Sequence, residues 1–141
     1  HIVGIPTEKD SLERLALHVG VEDAVVCYGK VSEKEKIELL QKADVFVMLS
    51  ETTQKGDVEG FGIAILEANA LGVPAIVALG CGIVDAIKDR VSGRLINNKD
   101  SEQFAKALEE ILNNYESYSQ VAKSWSKGFT WEQIIKLYLN V

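Results

Sequence analysis

The stretch Asp57–Gly80, "DVEGFGIAILEANALGVPAIVALG", decides how the rest of the chain reads. A Gly-aromatic-Gly turn leads into the apolar helical run "FGIAILEANALG", and "VPAIVA" follows as a buried strand before the Gly-rich loop "LGCG". A helix delivered straight into a strand apolar on both sides is half of a parallel-sheet unit whose faces are covered by helices. The same stretch sets one acid, Glu59, just before the helix and a second, Glu67, inside it.

Working outward, the alternation continues. "HIVG" reads as a strand and "EKDSLERLALHVG" as a helix with Leu12, Leu15, Ala16 and Val19 on one face and Gly20 as its stop. "AVVCY" is the next strand, and Ser32 with Glu35 forms an S-x-x-E capping box that opens a helix through about Lys42. "DVFVML" is a strand without polar alternation, and a loop from Ser50 to Gly60 precedes the opening stretch. Beyond it come a short helix in "IVDAIKD", a strand in "SGRLI", and helices over Ser101–Asn113 (Phe104, Leu108, Ile111 and Leu112 inside, charges outside), Tyr115–Lys127 and Trp131–Leu139. Strands and helices in this alternation imply right-handed crossovers and an α/β, Rossmann-like parallel sheet flanked by helices. Ligands of such sheets bind outside the carboxyl ends of the strands, here the loops 29–32, 50–62 and 79–83.

The totals bound the function. At 141 residues the chain is one domain's worth, with a helical tail over 115–141. Hydrophobic residues make up 47% and charged residues 26%, an ordinary globular composition. A formal net charge of −6 argues against nucleic acid or an anionic membrane bound by bulk positive charge. Cys27 and Cys81 are too few and too far apart for a disulfide framework or a zinc site, and Cys27 is expected in the core. The chain opens on a strand without an initiator Met and is expected to be a piece of a longer protein.

Two readings of the glutamates compete. Acids near a helix start are favoured by the helix dipole alone, and Glu67 can serve as a plain ion-pair partner. Alternatively, the first amides of the helix after Gly60 and Gly62 cradle a diphosphate, with a carboxylate on either side for hydroxyl groups. Glu67, about 7 Å up the axis at ~1.5 Å per residue, would then take a ribose. The cost of leaving an acid unpartnered in an apolar run favours the second reading. Neither His1 nor His18 has a metal-spaced partner, and Ser50 and Thr52 lack a base for nucleophilic chemistry. Lys30 and Lys55 border the expected cleft, and Trp125 and Trp131 read as packing residues of the C-terminal helices.

Taken in order, "EGFGIAILEA" and "LGVPAI" resemble the E-x7-E signature of the retaining GT-B-fold glycosyltransferases of family four. "KGDVEGFGI" is similar to the form found in the phosphatidylinositol mannosyltransferase-like branch. The likeness covers nearly the whole chain. "IVGIPTEKDSLERLA" resembles "VGxGP…LExLA", and "VVCYGKVSEKEKIELLQKADVFVMLS" resembles "V…GxVSxxEL…ADVFVxPS". "CGIVDAIKDRVSGRLI" is similar to "GGxPExVxDGxxGxLV", and "FTWEQIIKLYL" to "FSWExIAxxYL".

This resemblance implies the C-terminal, donor-binding half of a GT-B enzyme, with the first strand and helix of that half upstream of His1. It implies that Glu59, the catalytic residue, holds the hydroxyls of the transferred sugar and that Glu67 holds the nucleotide ribose. Gly60, Phe61, Gly62 and Ile63 would face the donor sugar and phosphates, and Lys30 and Val31 the base. The implied partners are a nucleotide sugar and an N-terminal acceptor-binding domain of the same chain, towards which the helix from Trp131 would cross. No metal or other cofactor is expected. The expected location is cytoplasmic, with any peripheral membrane association made through the other half. The fragment alone is expected to be inactive.

Some positions depart from the pattern. The family's phosphate-binding Arg and Lys belong to an element upstream of His1, and Cys81, Val84 and Asp85 replace the Gly, Pro and Glu of "GGxPE". Two rivals remain: a non-catalytic Rossmann-like binding module, and a regulatory relative that kept the fold but lost activity.

Overall fold

A computed structural model of the chain describes residues 1–51, 60–80 and 82–139. The backbone divides into two compact units, His1–Leu39 and Leu40–Val141.

In the first unit, β1 (Ile2–Val3) pairs in parallel with β2 (Cys27–Gly29), and α1 (Lys9–Val19) lies between them in the chain. Gly20 ends α1 in the left-handed region at φ 72°, its amide donating to the Ala16 and Leu17 carbonyls, as the sequence predicts. The predicted apolar face is only partly covered. Ala16 is buried and Leu12 half-buried, but Leu15 and Val19 are 56% and 57% exposed. A two-stranded ribbon this short offers too little surface to cover a three-turn helix. Cys27 is likewise half-buried rather than a core residue.

The capping box forms as read. The Ser32 amide and hydroxyl both donate to the Glu35 carboxylate, at 2.9 and 2.7 Å, and the Glu35 amide donates back to Ser32 Oγ at 3.3 Å. The hydroxyl and amide of Ser32 hold the Glu35 carboxyl below its usual range. This box opens α2 (Glu33–Gln41).

The second unit is built on β3 (Phe46–Met48), β4 (Ala75–Ala78) and β5 (Gly93–Ile96), parallel and in that order. The described strands thus form a parallel pair in the first unit and a parallel triplet in the second. The central strand, β4, is buried along its whole length. Ala75, Val77 and Ala78 join Ile65 of α3 (Ile63–Ala70) in one cluster, while Ile76 joins Ala107 and Ile111 of α4 (Ser101–Asn113) in another. Helices thus cover both faces, the arrangement that an uninterrupted apolar strand requires. On α4, Ala107 and Ile111 are buried and Phe104 and Leu108 half-buried, whereas Leu112, expected inside, is 48% exposed. The segment read as a short helix in "IVDAIKD" is a 3₁₀ turn over Gly82–Ala86.

Gly93 has no alternative residue. A Cβ there would overlap the Ala75 carbonyl oxygen across the β4–β5 ladder and the Ile87 side chain. Gly93→Ala should lower the unfolding free energy by about 2–3 kcal/mol, the range for overpacking a rigid interior, read from the urea midpoint. An unchanged midpoint would show that the two strands can part.

A polar cluster ties β5 to α4 and to α5 (Tyr115–Ser126). Arg94 donates to Asp89 Oδ1 at 3.2 Å and to Glu110, and the Tyr118 hydroxyl donates to Glu110 at 2.6 Å. Burial first, then the hydrogen bond to and charge of Glu110, push the Tyr118 hydroxyl up to about 12. A proton held more tightly in the folded state than the ordinary 10.0 stabilises the fold fully below about pH 10, and this support is lost as pH rises through about 12. Tyr118→Phe should therefore flatten the decline of stability between those two pH values, measured by urea unfolding at alkaline pH. Parallel curves for parent and variant would contradict the assignment.

Candidate functional site

The start of α3 lies on the β3–α3 connection, beyond the carboxyl end of β3. The helix, expected to start near Phe61–Gly62, begins at Ile63. Gly62 precedes it at φ 71°, ψ 54°, a left-handed conformation outside the helix. The Ile65 amide closes the first turn onto the Gly62 carbonyl at 2.9 Å, and the N-cap residue, being glycine, offers no side chain to the free amides. Such a terminus carries partial positive charge and presents backbone donors outward.

The two glycines of the turn have different duties. A Cβ on Gly62 would sit 2.8 Å from Ile65 Cδ1 and 3.0 Å from Ile83 Cγ2, so the fold itself requires glycine there. Among the described residues, a Cβ on Gly60 would meet nothing within 4 Å. Gly60 is exposed.

Around this turn the structure brings together Gly60, Phe61, Gly62, Ile63 and Glu67. Phe61 is 37% exposed and Ile63 66% exposed. Glu67, four residues after Ile63, lies one turn along the same side of α3 and is half-buried. The opposite side carries the fully buried Ile65, Ala68 and Asn69. Asn69, polar in an apolar run, turns inward and donates from Nδ2 to the Val73 carbonyl at 3.0 Å. Glu67 thus avoids the interior that would have made an acid costly, while Asn69 occupies it.

Other expected residues fall elsewhere. Lys30, exposed, and Val31, half-buried, follow the carboxyl end of β2 in the first unit, after Gly29 at φ 69°. Glu59, Thr52 and Lys55 lie outside the described residues, as does Cys81. Of the loop after β4, Gly80 is exposed at φ 96°, Val84 is half-buried and Asp85 is exposed. His18 is exposed in the last turn of α1. Among the described residues no three His, Cys, Asp or Glu side chains gather as a metal-binding group.

The two tryptophans part company. Trp125 is half-buried and donates from Nε1 to the Ala86 carbonyl at 2.9 Å, a packing role as expected. Trp131, at the start of α6 (Trp131–Leu139), is 80% exposed and packs little of its ring. Phe129, which the sequence reading passed over, lies with its ring centroid 5.8 Å from Phe61 and 5.3 Å from Trp125. Its only signal in the sequence is an aromatic residue directly after Gly128, ahead of a new helix.

A family model described as glycosyl transferases group 1 matches residues 1–127. The chain belongs to that family. Among its relatives, the D-inositol 3-phosphate glycosyltransferase of Geodermatophilus obscurus is 31% identical over 140 residues, covering 96% of this chain and 30% of that protein. The GDP-mannose-dependent alpha-(1-6)-phosphatidylinositol monomannoside mannosyltransferase of Mycobacterium tuberculosis is 36% identical over 112 residues, covering 79% and 29%. Among solved structures, a glycosyltransferase from Rickettsia africae superposes with a TM-score of 0.79 at 18% identity, covering 98% of this chain and 37% of that one. Anabaena HepE, solved in complex with UDP and glucose, gives 0.74 at 21%, covering 99% and 40%. These superpositions establish the fold of this glycosyltransferase family member as α/β with parallel sheets flanked by helices. The chain spans roughly a third of the length of the relatives it matches.

The geometry separates the two glycines experimentally. Gly62→Ala should cost about 1–3 kcal/mol of stability, from its positive φ and the collision with Ile83, whereas Gly60→Ala should stay within about 0.5 kcal/mol of the parent. Thermal unfolding of the pair checks this, and equal losses would mean that a side chain at Gly60 is crowded in solution.

Proposed function

We propose that this chain is the donor-binding domain of a retaining glycosyltransferase that moves a sugar from a nucleotide-diphosphate sugar to a glycan or lipid acceptor. The observation that carries the reading is the start of α3 behind a left-handed Gly62, with an exposed Gly60 that no described residue crowds and Glu67 one turn along the Ile63 side. Outward-facing amides and the helix dipole suit a diphosphate. Glu67 takes the ribose hydroxyls and Glu59 those of the transferred sugar, while Lys30 and Val31 face the base. Printed names of relatives support a donor of this class: one is GDP-mannose-dependent, and HepE was solved with UDP-glucose. Because these two carry different bases, they leave the choice between uridine and guanosine to the loop after β2.

On this reading the protein positions the reactants and stabilises charge. The bond between the anomeric carbon and the diphosphate oxygen breaks, the nucleoside diphosphate leaves with the electron pair, and an acceptor hydroxyl attacks from the same face. Backbone amides at the start of α3 stabilise the negative charge that grows on the departing oxygen. No metal is part of this scheme. The acceptor site belongs to an N-terminal domain of the longer enzyme, and the phosphate-binding Arg and Lys to an element upstream of His1. Among the described residues no helix is long and apolar enough to cross a membrane. A cytoplasmic enzyme touching the inner membrane face through that other domain fits this scheme.

Titration calorimetry with UDP and GDP tests it. Glu67→Gln should weaken the better-bound diphosphate about tenfold or more, since hydrogen bonds to a charged group contribute ~1.5–3 kcal/mol. The chain alone should transfer no sugar. A parent chain that binds neither diphosphate would overturn the proposal in favour of a family member that has lost its donor site.

A further inference from the structure

The turn before α3 is fastened from behind by a closed circuit of contacts. The Phe61 ring lies on Phe129 at 5.8 Å, and Phe129 lies on Trp125 at 5.3 Å. Trp125 donates from its indole to the Ala86 carbonyl at 2.9 Å, at the end of the 3₁₀ turn that follows β4. Within that turn Ile83 is fully buried, and its side chain presses on Gly62 so closely that a Cβ could not fit between them. From Gly62 the circuit returns to Phe61. Three segments far apart in sequence, the start of α3, the turn after β4 and the end of α5, are therefore clamped to one another.

The far side of the circuit faces the C-terminal tail. Phe129 and Trp125 also line a groove of about 470 Å³, whose wall includes Ile134 of α6. The two rings stand between this groove and the Phe61 turn, and Phe129 touches both aromatic neighbours. Phe61 is more than a third exposed. Gly62 is held by Ile83 and by the first turn of α3, so the ring behind Phe61 restrains the Gly60 side of the turn, where glycine leaves the backbone freest.

We propose that Phe129 is a positioning residue for the donor site: through Phe61 it fixes the backbone of the turn before α3, and through Trp125 it links occupation of that turn to the C-terminal helices. This rests on the donor-site reading above. It adds to that reading a residue outside the turn, sixty-eight positions along the chain from Phe61.

The test uses the 141-residue chain with Trp131→Phe, which leaves Trp125 as the single tryptophan and removes only an exposed ring. UDP and GDP are the probes. Phe129→Ala should weaken the better-bound diphosphate about three- to tenfold, the worth of one or two aromatic contacts, and Phe129→Tyr should restore it. Diphosphate should change Trp125 emission in the parent, and Phe129→Ala should abolish that change. If Phe129→Ala does not fold, Phe129→Leu is read in its place, with the same loss expected. Unchanged affinity in a folded variant, or a Trp125 emission indifferent to a diphosphate that binds normally, would overturn the inference and leave the donor site standing. A parent that binds neither diphosphate removes the donor site, and this inference falls with it.

Discussion

The second unit depends on the close approach of β4 and β5 at Gly93. Ala75 pairs with Gly93, and the absence of a side chain at that point lets the Ala75 carbonyl and Ile87 close over the strand. Once this ladder is shut, β4 has neighbours on both edges and on both faces, and every element around it is placed by what β4 presents. The loop after β4 then delivers Ile83 against Gly62. In this way a backbone contact inside the sheet sets the position of the turn before α3.

Much of this was legible in the sequence wherever a residue's role is settled locally. The Ser32–Glu35 box, the stop at Gly20, and the bounds of Ser101–Asn113 and Trp131–Leu139 all follow from caps, breakers and periodicity within a few residues. The readings that missed concern what covers a face. Leu15, Val19 and Leu112 satisfy the helical pattern and remain exposed, and Trp131 packs against almost nothing. A periodic pattern names the side of a helix that is apolar, but only its neighbours decide whether that side is buried. The start of α3 illustrates a third kind of limit. "FGIAIL" reads as helix from its first residue, yet the collision that a side chain at position 62 would make with Ile83 is a contact between residues twenty-one positions apart.

The candidate site was legible in a similar way. Residue types and spacing singled out Gly60–Ile63 and Glu67, and the fold gathers these five at one end of α3. Phe129 escaped notice because nothing near it in the sequence distinguishes it from any aromatic packing residue. Its interest arises from touching Phe61 and Trp125 at once, a property of three-dimensional neighbourhood alone.

The division of side chains along β4 has a consequence for how this domain can change over time. Ala75 and Val77 belong to the cluster that includes Ile65 and Ile83, while Ile76 belongs with Ala107 and Ile111 on the other side. The strand acts as a partition between two compartments that share only Leu49 among their described residues, and substitutions away from Leu49 combine nearly additively. Lineages could therefore remodel the α4 compartment freely, altering its volume and its residues, without disturbing the wall behind the Gly62 turn. Diversity should accumulate there first, and the Ile65 side should change slowest.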